Sequence, residues 1–202
     1  MSSKNNPTRD RILKSCQTLL ETKGASDVRM SDIAKRAGIS RQALYLHFPN
    51  RAELLIATTR YLDEIHGIGK VVDDQIFTAE GVARLEGFID VWCNYIPKIY
   101  GVGKALMAIK DVDEEARVAW DDRMSAVRDL CDRTIQSLIE HDMLLPDLNA
   151  KEATDLLWTL VSVRNWEHLT QECGWSQVQY LKHMHRSALK LFTVESRDIE
   201  RV

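Results

Sequence analysis

SDIAKRAGISRQALYLHFPNR, residues 31–51, is the stretch that decides how the chain is read. Apolar Ile33, Ala34 and Ala37 fall at helical spacing and Gly38 stops that short helix. Ser40 then offers a side-chain oxygen to cap a second helix over 41–48, which Pro49 and Asn50 break. The result is helix, Gly38-Ile39-Ser40 turn, helix. Small Ala34 lets the two helices approach, Gly38 permits a positive φ, and Ile39, Leu44 and Phe48 seal the underside. With Ile33, Ala37, Ile39, Leu44 and Phe48 inward, Arg41, Gln42, Tyr45, Leu46 and His47 remain on the outer face. That face offers donors, acceptors and a phenol, groups able to read base edges and clamp phosphates. No acid stands between Asp32 and Glu53, whereas a merely solvated helix face would carry Glu among its Lys and Arg. His47 lacks the neighbouring Cys, His or carboxylate that would make it a metal ligand.

On the N-terminal side, Ile12, Leu13, Cys16, Leu19 and Leu20 recur at helical spacing. Pro7 fits the first helical position and Gly24 is expected to end that helix. On the C-terminal side, Asn50 can cap a fourth helix carrying Ala52, Leu54, Leu55, Tyr61, Leu62 and Ile65 before Gly67 and Gly69. The helical period continues from Thr78 to about Ile99 through Val82, Leu85, Phe88, Ile89, Trp92 and Ile96, where Pro97 is expected to kink or end the helix. A short helix around Gly103 to Lys110 follows. Asp113 to Met143 repeats Ala116, Trp120, Met124, Val127, Cys131, Thr134, Ile135 and Leu138 before Pro146. Asn149 with Glu152, and Ser176 with Gln179, have capping-box spacing, starting helices over about 150–172 and 177–192. No stretch alternates as a half-buried strand does. The expected fold is all-α with about nine helices: a three-helix head over residues 1–56 on a helical domain over 57–202.

Charge is divided along the chain. Residues 1–55 hold ten Lys and Arg against five Asp and Glu, a net of +5, and the remainder holds 17 against 25, a net of −8. A basic head on an acidic body is the distribution expected of a small nucleic-acid-binding unit attached to a larger one that phosphates repel. The 202 residues, 45% hydrophobic and 28% charged, are ordinary for a globular chain, which sets aside collagen-like and wholly disordered classes. The longest apolar stretch, Leu156 to Val163, is less than half of the roughly 18 residues a bilayer crossing needs. The opening residues have no apolar core of the secretory type, so a cytoplasmic protein without membrane association is expected. Cys16, Cys93, Cys131 and Cys173 lie far apart without metal-ligand spacing, reading as free thiols with a redox switch as the alternative. No metal site, no cofactor and no catalytic residue is expected. GxSxG, HExxH and a phosphate-cradling glycine loop are missing, and His183 and His185, two apart, point to different helix faces.

The run IAKRAGISRQALYLHFPNRAELL, with its I-A-x-x-A-G-[IV]-S-x-x-x-[LI]-Y-x-[HY]-F pattern, resembles the N-terminal signature of the TetR family of transcriptional regulators over roughly residues 8–56. The resemblance implies a homodimer whose heads enter successive major grooves of a pseudo-palindromic operator in double-stranded DNA. It further implies C-terminal helices that form an effector pocket and the dimer contact, most often in a repressor. Carried over by position, Arg41, Gln42 and Ala43 fall where the family reads bases, and Tyr45, His47 and Arg51 where it holds phosphates. Ser31, Ser40 and Leu46 complete the expected DNA surface. The family opens its second helix with Ser or Thr where this chain has Arg29. Asp27 or Ser31 is therefore expected to cap, leaving Arg29 able to reach a phosphate. The stretch LLWTLVSVRNWEHLTQECGWS resembles the penultimate helix and turn of part of the family.

Trp92, Tyr95, Trp120 and Met124 stand on the helices expected to wall a pocket for a small apolar or aromatic effector, with ordinary core packing as the alternative. Trp158, Trp166 and Trp175, with Leu181 and Met184, are candidates for the dimer interface or, equally, for the core. An effector is expected to act by moving the fourth helix and changing the spacing of the two recognition helices. A helical protein-interaction or redox-sensing regulator without a small-molecule effector is the competing function.

Overall fold

The computed structural model describes residues 6–23 and 27–194. The described residues form ten α-helical segments: α1 (Pro7–Lys23), α2 (Met30–Arg36), α3 (Arg41–His47), α4 (Arg51–His66), α5 (Ile68–Val71), α6 (Gly81–Ile109), α7 (Glu114–Glu140), α8 (Ala150–Leu160), α9 (Val163–Glu167) and α10 (Gln177–Phe192). Wider π turns extend α5 over Val72–Ile76 and α9 over His168–Glu172. The all-α expectation holds. The proposed end of α1 at Gly24 lies outside the described residues.

The chain gathers into two compact units that do not divide at residue 56. The first joins the stretch through His66 to residues 99–124, so it contains the end of α6 and the start of α7. Its core explains the membership. Ile12, Cys16 and Leu20 of α1, Ile33 of α2, Leu44 of α3, and Leu54 and Leu62 of α4 are buried in one cluster with Val102, Leu106, Ala116 and Ala119. Helices as short as α2 and α3 do not persist alone in water, and burial of one face against this cluster supplies what their length cannot. Gly101 allows a close approach here, because a Cβ on it would stand 2.7 Å from Cγ of Glu21.

The second unit comprises residues 67–98 and 125–202. Its core includes Phe88, Ile89, Trp92, Cys131, Ile135, Leu157, Tyr180 and Phe192, all buried. Asn149 and Glu152 form the expected capping box: Glu152 N–H donates to Asn149 Oδ1 at 3.0 Å and Asn149 N–H to Glu152 Oε2 at 3.3 Å. Ser176 Oγ accepts from Gln179 N–H at 3.1 Å. The expected single helix over 150–172 is broken. Ser162 takes an extended backbone and caps α9 by accepting from Asn165 N–H, so α8 stops at Leu160.

Pro97 brings the larger correction. It neither ends nor separates the helix, which runs unbroken from Gly81 to Ile109 and absorbs the short helix expected at 103–110. A proline inside a helix removes the N–H that would satisfy the carbonyl four residues earlier. That carbonyl belongs to Cys93, and Gln177 Nε2 donates to it at 2.9 Å. The same amide accepts from Trp166 Nε1 at 2.9 Å. A side chain of α10 thus replaces a missing rung of α6.

Gln177→Ala removes a partner from both the Cys93 carbonyl and the Trp166 indole. It is expected to lower unfolding free energy by about 2 kcal/mol, the cost of leaving such groups unpaired, read as a lower midpoint in urea denaturation with an unchanged slope.

Candidate nucleic-acid interface

The turn between α2 and α3 forms as its residues dictate. Ala37 closes α2, Gly38 takes φ +66°, and Ile39 N–H returns to the Ala34 carbonyl at 3.1 Å. Ser40 Oγ accepts from Ala43 N–H at 3.0 Å, capping α3. Asn50 Oδ1 caps α4 in the same manner, accepting from Glu53 N–H at 2.8 Å. The start of α2 differs from expectation. Neither Asp27 nor Ser31 caps it: Arg29 occupies the capping position, and Asp32 reaches back to accept from Arg29 N–H at 3.2 Å. A carboxylate in the first turn also suits the positive end of the helix dipole, so the departure at Arg29 needs no hydroxyl.

The division of α3 into two faces is as expected. Leu44 and Phe48 are buried and Ile39 packs partly against the same core. Arg41, Gln42, Tyr45 and Leu46 are exposed, with Ala43 and His47 half-buried. Leu46 is 84% exposed. The Arg41 guanidinium carbon lies 5.6 Å from the centroid of the Tyr45 ring, and its Nη2 lies 3.4 Å from the phenol oxygen. Beneath the helix, Arg9 stacks 4.5 Å from the centroid of Phe48, fixing the end of α3 against α1.

Arg29, Ser31, Arg41, Tyr45 and Arg51 line one cleft beside α3. The same cleft contains two acids that sequence reasoning did not associate with it, Asp113 and Glu115. Arg51 Nη1 lies 2.5 Å from Asp113 Oδ2 and 3.9 Å from Glu115 Oε2. Further along α4, Arg60 pairs with Asp122 at 2.7 Å and Asp63 with Arg123 at 2.8 Å. No local pattern announces these pairs, since 62 residues separate Arg51 from Asp113. The available signal is that Asp113 stands at a helix start, where it caps α7 by accepting from Ala116 N–H at 3.0 Å.

The residues proposed for an effector pocket divide between the units. Trp92 and Tyr95 belong to the second, with ring centroids 6.0 Å apart, and the Trp92 indole N–H donates to the Val161 carbonyl at 2.8 Å. Trp120 and Met124 belong to the first, where Trp120 packs against the core. Of the proposed interface residues, Trp166 and Met184 are buried inside their own unit. Trp158, half-buried, lies under Arg128, whose guanidinium is 5.3 Å from its ring. Trp175 stacks on His183 at 4.9 Å, and Leu181 is half-buried. The exposed apolar side chains of α8 and α10 are instead Leu156, Val178 and Leu191, which sequence reasoning passed over.

Among the described residues no group of three His, Cys, Asp or Glu is placed to hold a metal ion, and no helix is long and apolar enough to cross a membrane. Burial raises the Cys16 thiol to about 11, opposed by a hydrogen bond from Thr58, and raises Cys93 and Cys131 to about 12. Cys173 is exposed.

Comparison with known proteins agrees with this geometry. Residues 12–58 match the family described as bacterial regulatory proteins, tetR family. Over 110 residues the chain is 31% identical to the nucleoid occlusion factor SlmA of Vibrio campbellii, covering 52% of this chain and 56% of that protein. The chain thus spans about half the length of the relatives it matches in sequence. Similarity of fold reaches further. A transcriptional regulator from Saccharomonospora viridis, solved in complex with choline, superposes with a TM-score of 0.71 at 19% identity over 94% of this chain and 99% of that one. NalD of Pseudomonas aeruginosa, the secondary repressor of the MexAB-OprM multidrug efflux pump, gives 0.69 at 19% identity over 94% and 97%. The head thus matches the tetR-family model over residues 12–58, and the chain shares the fold of these solved regulators.

Proposed function

We propose that the protein is a homodimeric transcriptional regulator that binds a pseudo-palindromic site in double-stranded DNA through α3. The observation that carries this reading is the outward face of α3: Arg41, Gln42, Tyr45 and Leu46 stand exposed on a helix with no acidic residue. Arg41 and Gln42 suit the acceptor-rich edges of the major groove, while Tyr45, His47 and the capped start of α3 suit phosphate. Leu46 supplies an apolar surface of the kind that meets the thymine methyl group. A symmetric dimer would present two such helices about one turn of DNA apart, roughly 34 to 36 Å.

Dimer formation through α8 and α10 is supported by Leu156, Val178 and Leu191, which remain exposed among the described residues. Trp158, Trp175 and Leu181 can add to that surface because they retain some exposure. Trp166 and Met184 contribute through the protomer's own packing. Release from DNA by a small molecule is the regulatory mode we favour, supported by the choline held in a protein of the same fold. Repression is the outcome we favour, NalD of the same fold being a repressor. The cytoplasm is the location such a function requires.

Tyr45→Ala is expected to weaken operator binding about tenfold, the loss of one hydrogen-bonded contact of about 1.4 kcal/mol, while sedimentation shows an unchanged dimer. Loss of the dimer, or unaltered DNA affinity, contradicts the assignment. In a duplex selected from a random pool, replacing the thymines of one half-site by deoxyuridine is expected to weaken binding by about threefold per contacted methyl. Leu46→Ala should erase that difference.

The redox alternative makes an opposite prediction. In the folded protein one thiol, Cys173, is expected to react rapidly with a disulfide reagent, the other three reacting only after denaturation. Peroxide treatment should leave DNA affinity unaltered. Reaction of a second thiol in the native state, with loss of DNA binding, would favour the redox reading.

A further inference from the structure

Arg51 opens α4 on the DNA-facing cleft, yet its guanidinium is turned onto acids of this chain. Its side chain is 15% exposed, against 29% for Asp113 and 42% for Glu115, so the pair is partly sheltered from the salt that screens surface charges. Asp113 uses both carboxylate oxygens. Oδ2 meets Arg51 at the start of α4, and Oδ1 accepts from Ala116 N–H at the start of α7. One carboxylate thereby ties two helix starts within the first unit.

We infer that Asp113 and Glu115 determine how strongly the head grips the DNA backbone, by holding Arg51 against its phosphate partner. This rests on the DNA-binding reading above. A phosphate entering the cleft meets three arginines, Arg29, Arg41 and Arg51, and two carboxylates that both repel it and occupy one of those arginines. For Arg51 to donate to phosphate, its contact with Asp113 must lengthen. Any displacement of the α7 start relative to the α4 start does this, because Asp113 moves with the cap it forms. DNA affinity is then coupled to the position of the turn between α6 and α7, and DNA binding in return favours the displaced position. The pair acts on affinity for any sequence, since phosphate contacts carry none of the base information.

The chemistry of capping supplies a clean variant. Asn is as good a cap as Asp, so Asp113→Asn retains the start of α7 and removes only the charge. The test is a salt titration of the full-length protein on a mixed-sequence duplex by fluorescence anisotropy, with thermal unfolding run in parallel. Asp113→Asn is expected to tighten binding about fivefold and to steepen the salt dependence by about 0.9, one added phosphate contact. In an Arg51→Gln background the same substitution should change affinity less than twofold. Glu115→Gln, with its longer contact, should give a smaller gain that also depends on Arg51, and serves if Asp113→Asn unfolds. Unchanged or weakened binding by both charge-neutral variants overturns the inference, as does equal tightening with and without Arg51. Absence of salt-sensitive binding by the unaltered protein overturns the DNA reading, and with it the inference.

Discussion

The outward display of α3 depends on the reversal between Ala37 and Ser40. Gly38 adopts a left-handed conformation that a side chain would strain, and Ser40 immediately restarts the helix by taking up an orphan N–H. Seven residues on either side are too few for self-sustaining helices. Their angle is held by Leu44 and Phe48 seated on α1 and α4, with Arg9 stacked below. Because Leu44 and the following Phe48 are buried on that underside, the polar groups of the opposite face are presented rather than merely left over.

Features encoded by neighbours in the chain were legible from the sequence. The Gly38 turn, the Ser40, Asn50, Asn149 and Ser176 caps and the helical stripes of α1 and α4 all involve residues within a few positions of one another. What was missed is of two kinds, a partner far along the chain and a local cap hidden by its surroundings. Pro97 reads locally as a stop, and only the arrival of Gln177 makes it tolerable. Ser162 lies within an apolar run and looks like part of its helix until its extended backbone is seen. The opening of α2 is an intermediate case: the acceptor sought at Asp27 or Ser31 comes from Asp32, visible in the sequence but placed at the other end of the same turn.

Charge shows the same contrast between chain order and space. Counting along the sequence yields a basic head and an acid-free recognition segment, and both statements are true of the sequence. Folding nevertheless brings Asp113, Glu115 and Asp122 against α4, so the first unit contains its own acidic counterweight. Ion pairs near the surface contribute little to stability. Their effect on which external anion an arginine can meet is greater, because a guanidinium already engaged must give up one partner to accept another.

The proline within α6 bears on the order in which the chain folds. The rung at Cys93 is completed by a residue 84 positions downstream, so this helix cannot be fully laddered while α10 remains undocked. Local helices form early and contacts of large sequence separation form late. The Cys93 carbonyl in the middle of α6 therefore gains its Gln177 partner only when the C-terminal helix docks, and a chain arrested before Gln177 would leave that carbonyl without it.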